Sequence, residues 1–199
     1  MRTLPLLTSL FIFSVGYSQS NKNFSEKLSN AAIALTFDKV QYDPSYFSIS
    51  YPNGDVPANK GVCTDVIIRA YRKMGIDLQK EVHEDIKNNF SKYPHTWGLS
   101  HPDENIDHRR VPNLAVFFSR FGITKKMSTN PGDFEPGDII TWDLGGGLTH
   151  IGMLINKRSA DGKRYLIVHN IGRGREISDC LFSFKITGHY FYNGKNSGR

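Results

Sequence analysis

Apolar residues in the first two thirds of the chain recur every three or four positions, the spacing of an amphipathic α-helix. One such stripe follows Ser25, a residue type that favours helix caps, and a second follows Cys63 and stops at Gly75. A third follows Asp77, and a fourth covers residues 112–121, with proline in its first turn. The sequence therefore predicts four helices. The first three have apolar faces formed by Leu28, Ala31, Ala32 and Leu35; by Val66, Ile67, Ala70, Tyr71 and Met74; and by Leu78, Val82, Ile86 and Phe90.

Beyond Gly122 the apolar spacing shortens to that of β-strands, and glycine-rich or charged turns separate the apolar runs. Helices followed by consecutive strands predict an α+β fold in which an antiparallel sheet packs on the early helices. Residues 36–61 are rich in turn formers and predict a structured loop or short strands, and residues 91–111 predict a long surface loop. The predicted strands are residues 138–142, 150–155, 165–169 and 189–192.

The N-terminus has the layout of a secretory signal peptide. Residues 1–18 carry a single charge at Arg2, an apolar run and small residues near the end. No cysteine occurs in this leader, so we expect a periplasmic or secreted protein without a stable membrane anchor. Residues 19–24 are polar and predict disorder, and residues 25–195 predict a single domain.

The chain has a net charge of +6. A basic exported protein meets anionic wall polymers or lipid head groups more readily than nucleic acid, so no nucleic-acid partner is expected. The alternative is that the excess charge serves only solubility.

Cys63 is one of two cysteines and directly precedes a helical stripe. At a helix start, unpaired N–H groups and the positive dipole end lower the pKa of a thiol and create a reactive nucleophile. The same N–H groups can hold an oxyanion. Two alternatives are an inert core thiol and a disulfide with Cys180, since an exported protein meets an oxidising compartment.

A nucleophilic cysteine needs a general base, and His150 stands at the start of a predicted strand after a glycine-rich turn. The next predicted strand ends in His169 and Asn170. Either residue can orient the base, but their side chains point to opposite faces of the strand, so only one of them can do so.

Several phrases resemble the NlpC/P60 branch of the papain-like cysteine peptidases. They are Cys63 at a helix start, EPGDIITW at 135–142, THIGM at 149–153 and VHN at 168–170. In that superfamily the site order is cysteine, histidine, then a third polar residue on the following strand. The resemblance implies a papain-like fold with Cys63 as nucleophile, His150 as base and His169 in preference to Asn170 as the third residue.

The chain is more closely similar to the domain of unknown function 1287 family, over residues from about 40 to 192. The wider superfamily implies hydrolysis of amide bonds in peptidoglycan peptides without a cofactor or metal. Asp65, Arg109, Arg110 and Asn170 are then candidates for substrate binding, and the arginines can clamp a carboxylate. For Asp65 a helix-dipole role, and for the arginines a structural pair, are the alternatives. The phrases similar to that family are residues 51–57, 61–66, 77–79, 82–85, 105–114, 168–172 and 186–190.

Three other functions stay open at this point. A non-catalytic wall-binding domain would leave Cys63 buried or paired. A papain-like acyltransferase is disfavoured because the permuted branch that acts on lipids places histidine before cysteine. A zinc hydrolase could use His95, His101 and His108 of the long loop, but neither an H-E-x-x-H nor a C-x-x-C pattern is present.

Overall fold

The computed structural model describes residues 9–98 and 100–194, with side chains described from residue 19 onwards. Within these residues the chain forms an α+β fold, which confirms the predicted class. The helices are α1 (Ser9–Ala34), α2 (Cys63–Lys73), α3 (Leu78–Asn88) and α4 (Val111–Phe121). No helix among the described residues is long and apolar enough to cross a membrane.

Six strands form one antiparallel sheet in the order β3-β8-β4-β5-β6-β7. A separate pair of two-residue strands, β1 and β2, runs in parallel just before α2. These short strands agree with the prediction for residues 36–61. The strands are β1 (Gln41–Tyr42), β2 (Lys60–Gly61), β3 (Ile123–Thr124), β4 (Ile139–Asp143), β5 (Thr149–Arg158), β6 (Tyr165–His169), β7 (Glu176–Ser178) and β8 (Lys185–Phe191).

Local signals account for the helix boundaries. The Asp77 carboxylate accepts a hydrogen bond from the Lys80 backbone N–H at 3.1 Å, so the predicted cap of α3 is confirmed. Gly75 adopts a left-handed φ of 77° just after α2, a conformation that favours glycine.

Helix α1 differs from the prediction, because it includes residues 19–24, which were expected to be disordered. The ring of Phe24 packs 6.5 Å from Tyr71 and 6.2 Å from Phe191, so apolar contact favours order in this segment. The predicted signal peptide stays a prediction: residues 1–8 lie outside the described residues, and for residues 9–18 only the backbone is described. Residue 195, the predicted end of the domain, also lies outside them.

Both faces of the sheet are buried. One face packs against the helices through an aromatic group in which the ring of Tyr71 lies 5.8 Å from that of Tyr192. The opposite face carries a smaller cluster around Trp142, whose indole N–H donates to the Leu181 carbonyl at 3.0 Å. Strand β5 lies between these clusters, and its first residues reach the N-terminus of α2.

Candidate functional site

Cys63 is the first residue of α2, as the sequence predicted. Val62 before it is extended, with a φ of −119°, and donates its backbone N–H to the Asp65 carboxylate at 2.7 Å. This bond closes the first turn and fixes the direction in which the Cys63 side chain leaves the helix.

The sulfur of Cys63 lies against the sheet where the ladder between β5 and β6 ends. Leu154 donates its backbone N–H to the carbonyl of Asp138, the residue before β4, at 2.9 Å, so the N–H of Ile151, three positions earlier, points the opposite way, toward β6. Strand β6 stops at His169, which falls opposite Gly152 in the observed register. The Ile151 N–H is therefore left without a strand partner, and it lies within hydrogen-bonding reach of the Cys63 sulfur.

Two imidazoles form a buried pair beside this point. His150 Nε2 and His169 Nδ1 are 2.8 Å apart, and the two side chains are almost fully buried. The His150 ring also stacks on Trp142, with centroids 5.7 Å apart. His150 directly precedes Ile151, so strand β5 carries both the backbone contact to the thiol and one member of the imidazole pair. Among the described contacts His150 is hydrogen-bonded to His169 and not to Cys63.

A glycine makes room for this pair. A Cβ at Gly152 would lie 2.7 Å from the Ile167 side chain and 3.2 Å from both His169 and Trp142. Only glycine therefore lets β6 and the Trp142 ring approach β5 this closely.

His169, and not Asn170, contacts the His150 ring. Asn170 points to the other side, where its amide donates to the Gly61 carbonyl at 3.2 Å and its oxygen accepts the backbone N–H of Gly172 and of Gly174. Asn170 therefore ties the end of β6 to the residues preceding Cys63, and its buried amide is engaged by the backbone.

The hydrogen-bond chain continues beyond the two residues that the sequence suggested. His169 Nε2 lies 2.7 Å from the Ser178 hydroxyl and 3.4 Å from the Glu176 carboxylate, both on β7. Sequence reasoning missed these residues because β7 has three residues and no alternating apolar pattern. Cys180 Sγ lies 3.8 Å from the same nitrogen, and both cysteines are free, so the disulfide alternative is wrong.

Asp65 and Arg109 bind each other instead of lining an open surface. The Arg109 guanidinium donates two hydrogen bonds to the Asp65 carboxylate, at 3.0 and 3.1 Å, and the side chains are 2% and 4% exposed. The Thr64 hydroxyl adds a bond to the Arg109 carbonyl at 3.1 Å. This arrangement favours the structural alternative for both residues: they hold the N-terminus of α2 in place and are not free to clamp a substrate.

Arg110, the fourth candidate for substrate binding, lies apart from this pair. Its guanidinium stacks 4.2 Å above the ring of Trp97, an exposed residue of the long loop. Among the candidates at 109 and 110, Arg110 alone keeps access to solvent.

Tyr42 on β1 is a further neighbour of the thiol that the sequence did not single out. Burial raises the pKa of its phenol, and the nearby Cys63 and Asp65 raise it further. The side chain remains 38% exposed, so Tyr42 is a solvent-accessible neighbour of the buried thiol.

The electrostatics of the resting site differ from the prediction of a lowered thiol pKa. Burial raises the pKa of Cys63 to about 12, against the opposing effect of the N–H groups of Ile151 and of the first helical turn. Burial, with a smaller effect of the adjacent His169, lowers the pKa of His150 to about 3. The prediction failed because desolvation of a fully enclosed sulfur outweighs the helix terminus. At neutral pH the Cys63 thiol and the His150 imidazole are therefore both uncharged.

These values predict slow alkylation of Cys63. At pH 9 a thiol with a pKa of about 12 has about five-hundredfold less thiolate than one with the ordinary thiol pKa of 9.0, and reactivity should still be rising above pH 10. Iodoacetamide labelling of the Cys180→Ala protein, followed by mass spectrometry from pH 7 to 11, measures this. The same chain unfolded in urea is the control, and equal rates in the two states would show that the thiol is not buried.

The three loop histidines do not converge. His95 Nε2 lies 3.0 Å from the Phe90 carbonyl, His101 Nδ1 lies 3.0 Å from the carbonyl of Pro102, and His108 is buried. Among residues 9–98 and 100–194, no group of three or more His, Cys, Asp or Glu side chains is placed to hold a metal ion.

The fold and the site define an α+β protein in which a cysteine at a helix N-terminus contacts the backbone of an antiparallel strand, and that strand carries one member of a buried histidine pair. The family model described as "Domain of unknown function (DUF1287)" matches residues 29–192, and the chain belongs to this family. It is also similar to a protein of Escherichia coli (strain K12) described as "Uncharacterized protein YijF". The two are 52% identical over 174 residues, which cover 87% of this chain and 83% of that protein.

Proposed function

We propose that the protein is an exported cysteine hydrolase, an amidase or endopeptidase that cleaves amide bonds in peptidoglycan peptides through a papain-like, NlpC/P60-type site. One observation carries the proposal: the thiol at the N-terminus of α2 contacts the backbone of Ile151, and the adjacent His150 is oriented by a 2.8 Å hydrogen bond to His169. The proposed nucleophile, base and orienting group thus follow one another in the chain order of that superfamily.

The hydrogen bonds are compatible with the tautomers that this reaction needs. If His150 accepts a proton at Nδ1, its Nε2–H donates to His169 Nδ1. His169 then carries its own proton on Nε2 and donates to Ser178 or Glu176. All of these bonds are then donated in the direction from His150 towards β7, so Nδ1 of His150 remains the basic atom.

The chemical steps follow from these groups. His150 Nδ1 removes the thiol proton of Cys63 as the sulfur attacks the amide carbonyl, because the resting thiol is uncharged. N–H groups at the start of α2 hold the oxyanion of the tetrahedral intermediate. The imidazolium then gives its proton to the leaving amine, and a thioester remains on Cys63. Water, deprotonated by His150, hydrolyses the thioester and restores the thiol.

The substrate class rests on the predicted signal peptide, the basic charge and the superfamily resemblance. Peptidoglycan is the amide-rich polymer that an exported bacterial protein meets first. No cofactor is needed for this reaction, since thiol and imidazole supply both the nucleophile and the proton transfers.

Digestion of purified sacculi tests the proposal. The wild-type protein should release soluble fragments with new amino and carboxyl ends, identified by mass spectrometry, and Cys63→Ala should release none. His101→Ala is the control variant, since this exposed histidine contacts the carbonyl of its own neighbour Pro102 and should retain the activity. Identical fragment patterns from the wild-type and Cys63→Ala proteins would reject the hydrolase.

A non-catalytic wall-binding domain is the second candidate, and the 6% exposure of Cys63 favours it. Such a domain should bind sacculi equally well with or without the thiol and should release no fragments. Co-sedimentation of the wild-type and Cys63→Ala proteins with sacculi, run beside the digestion, separates the two functions.

A further inference from the structure

A cationic cavity of about 620 Å³ lies next to the candidate active site and takes no part in the chemistry described above. It is formed by residues 36–41, Asn59 and the turn at residues 173–175. Three of its side chains, Lys39, Arg173 and Arg175, are cationic, whereas Asp38 is the only carboxylate among its lining residues. Its lining thus has a net positive charge and is complementary to an anion.

Arg175 is the distinctive member of this group. It is half-buried, and one of its nitrogens donates to the Leu35 carbonyl at 3.2 Å. No carboxylate of the described residues forms an ion pair with it, although Asp38 lines the same cavity. Burial, reinforced by the nearby Arg69, lowers the pKa of Arg175 against the weaker opposing effect of Asp38, Asp55 and Asp65, so the protein keeps a partly desolvated guanidinium that no carboxylate pairs directly.

Hydrogen bonds connect the cavity to the residues that precede Cys63. The backbone N–H of Gly174 donates to Asn170 at 3.3 Å, and Asn170 in turn donates to Gly61, two residues before the thiol. On the other side of the cavity, Gln41 precedes Tyr42, whose phenol interacts electrostatically with the Cys63 thiol. Arg175 also lies within electrostatic range of Asp65, in the first turn of α2. The cavity is therefore connected through these residues to the segment that presents the thiol.

We propose that this cavity is a carboxylate-binding subsite, in which Arg175 forms two hydrogen bonds to a carboxylate of the peptide whose amide bond lies at Cys63. Lys39 and Arg173, both exposed at the rim, add attraction without fixed geometry. The subsite rests on the proposed function and narrows its substrates to acidic peptides. It takes over the carboxylate-clamping role that the sequence suggested for Arg109, whose guanidinium is already occupied by Asp65.

A pair of matched ligands tests the subsite. The probes are soluble stem peptides released from sacculi, and the same peptides after conversion of their carboxylates to carboxamides. Calorimetric titration into the Cys63→Ala protein keeps turnover out of the measurement. The acidic peptides should bind about tenfold to a hundredfold more tightly than the amidated ones, the range expected for hydrogen bonds to a charged group.

Three variants test whether this cavity causes the preference for acidic over amidated peptides. Arg175→Gln should abolish it, and Arg173→Gln should reduce it. Lys157→Gln, which removes an exposed cation near the far end of β5, should leave it unchanged. A thermal melt of each variant checks folding, and Arg173→Gln provides the test at an exposed position if Arg175→Gln is unstable.

Equal binding of the acidic and amidated peptides, or no binding of either, overturns the subsite. A preference that survives in Arg175→Gln does so as well. A failure of the proposed function looks different: sacculi would stay intact with the wild-type protein while the preference for acidic peptides and its dependence on Arg175 persisted.

Discussion

Replacing His150 with alanine is expected to reduce fragment release from sacculi by a factor of about 10² to 10⁴, the range of general-base contributions. The reason is the uncharged state of the resting thiol: with a pKa near 12, Cys63 supplies almost no thiolate by itself at neutral pH. Initial rates of fragment release, measured by mass spectrometry, give the effect. His101→Ala, an exposed histidine bonded to its own neighbour, is the matched control.

The pH profile separates the base from the residue that positions it. Because the pKa of His150 is lowered to about 3, the imidazole is in its basic form throughout the neutral range, so the wild-type activity should not fall between pH 7 and pH 5 for lack of base. The adjacent His169 contributes to the lowered pKa of His150, so His169→Gln should move the acidic limb of the activity–pH profile to higher pH. Retention of wild-type rates by a folded His150→Ala protein would exclude this residue as the base.

Replacing Arg109 with methionine is expected to lower the free energy of unfolding by about 3–5 kcal/mol. The substitution leaves the Asp65 carboxylate buried without its partner, at the turn that presents Cys63. For a domain of this size the loss corresponds to a fall in melting temperature of roughly 6–20 °C. Urea and thermal unfolding followed by circular dichroism measure both quantities.

Arg164→Met is the control for this measurement. Arg164 also forms a bidentate pair, with Asp179, but those side chains are 30% and 34% exposed, and exposed pairs contribute about 0–1 kcal/mol. Equal destabilisation by the two substitutions would show that the Asp65–Arg109 pair is not the buried anchor described above. The double variant Asp65→Leu/Arg109→Met should recover part of the loss, because no charge then remains unpaired.

Local sequence patterns were sufficient to predict much of the fold. The helix that follows Asp77 and the strand at residues 165–169 were predictable because a cap or an apolar run lies within the segment itself. The position of Cys63 at a helix start was predictable for the same reason. The contact between His150 and His169 needed one further assumption, that the two strands are antiparallel neighbours.

The features that the sequence did not reveal depend on distant partners. Arg109 meets Asp65 across 44 positions, and nothing in the local sequence distinguishes it from the more exposed Arg110. The predicted direction of the Cys63 pKa shift was wrong for a similar reason. The helix terminus is a local property of the sequence, whereas desolvation is set by everything that packs around the sulfur. Ser178 and Glu176 were missed because their strand is too short to have a period.

The position of the Ile151 backbone N–H, beyond the end of the β5–β6 ladder, has a practical consequence. The amide hydrogen of Ile151 faces the Cys63 sulfur where a β6 carbonyl would otherwise stand, so its exchange with deuterium depends on what occupies that position. Any event at the sulfur, whether acylation, oxidation or displacement by a ligand, should alter the exchange rate of this single amide. Nuclear magnetic resonance of a nitrogen-15-labelled sample can thus follow the thiol directly, with no chromogenic substrate.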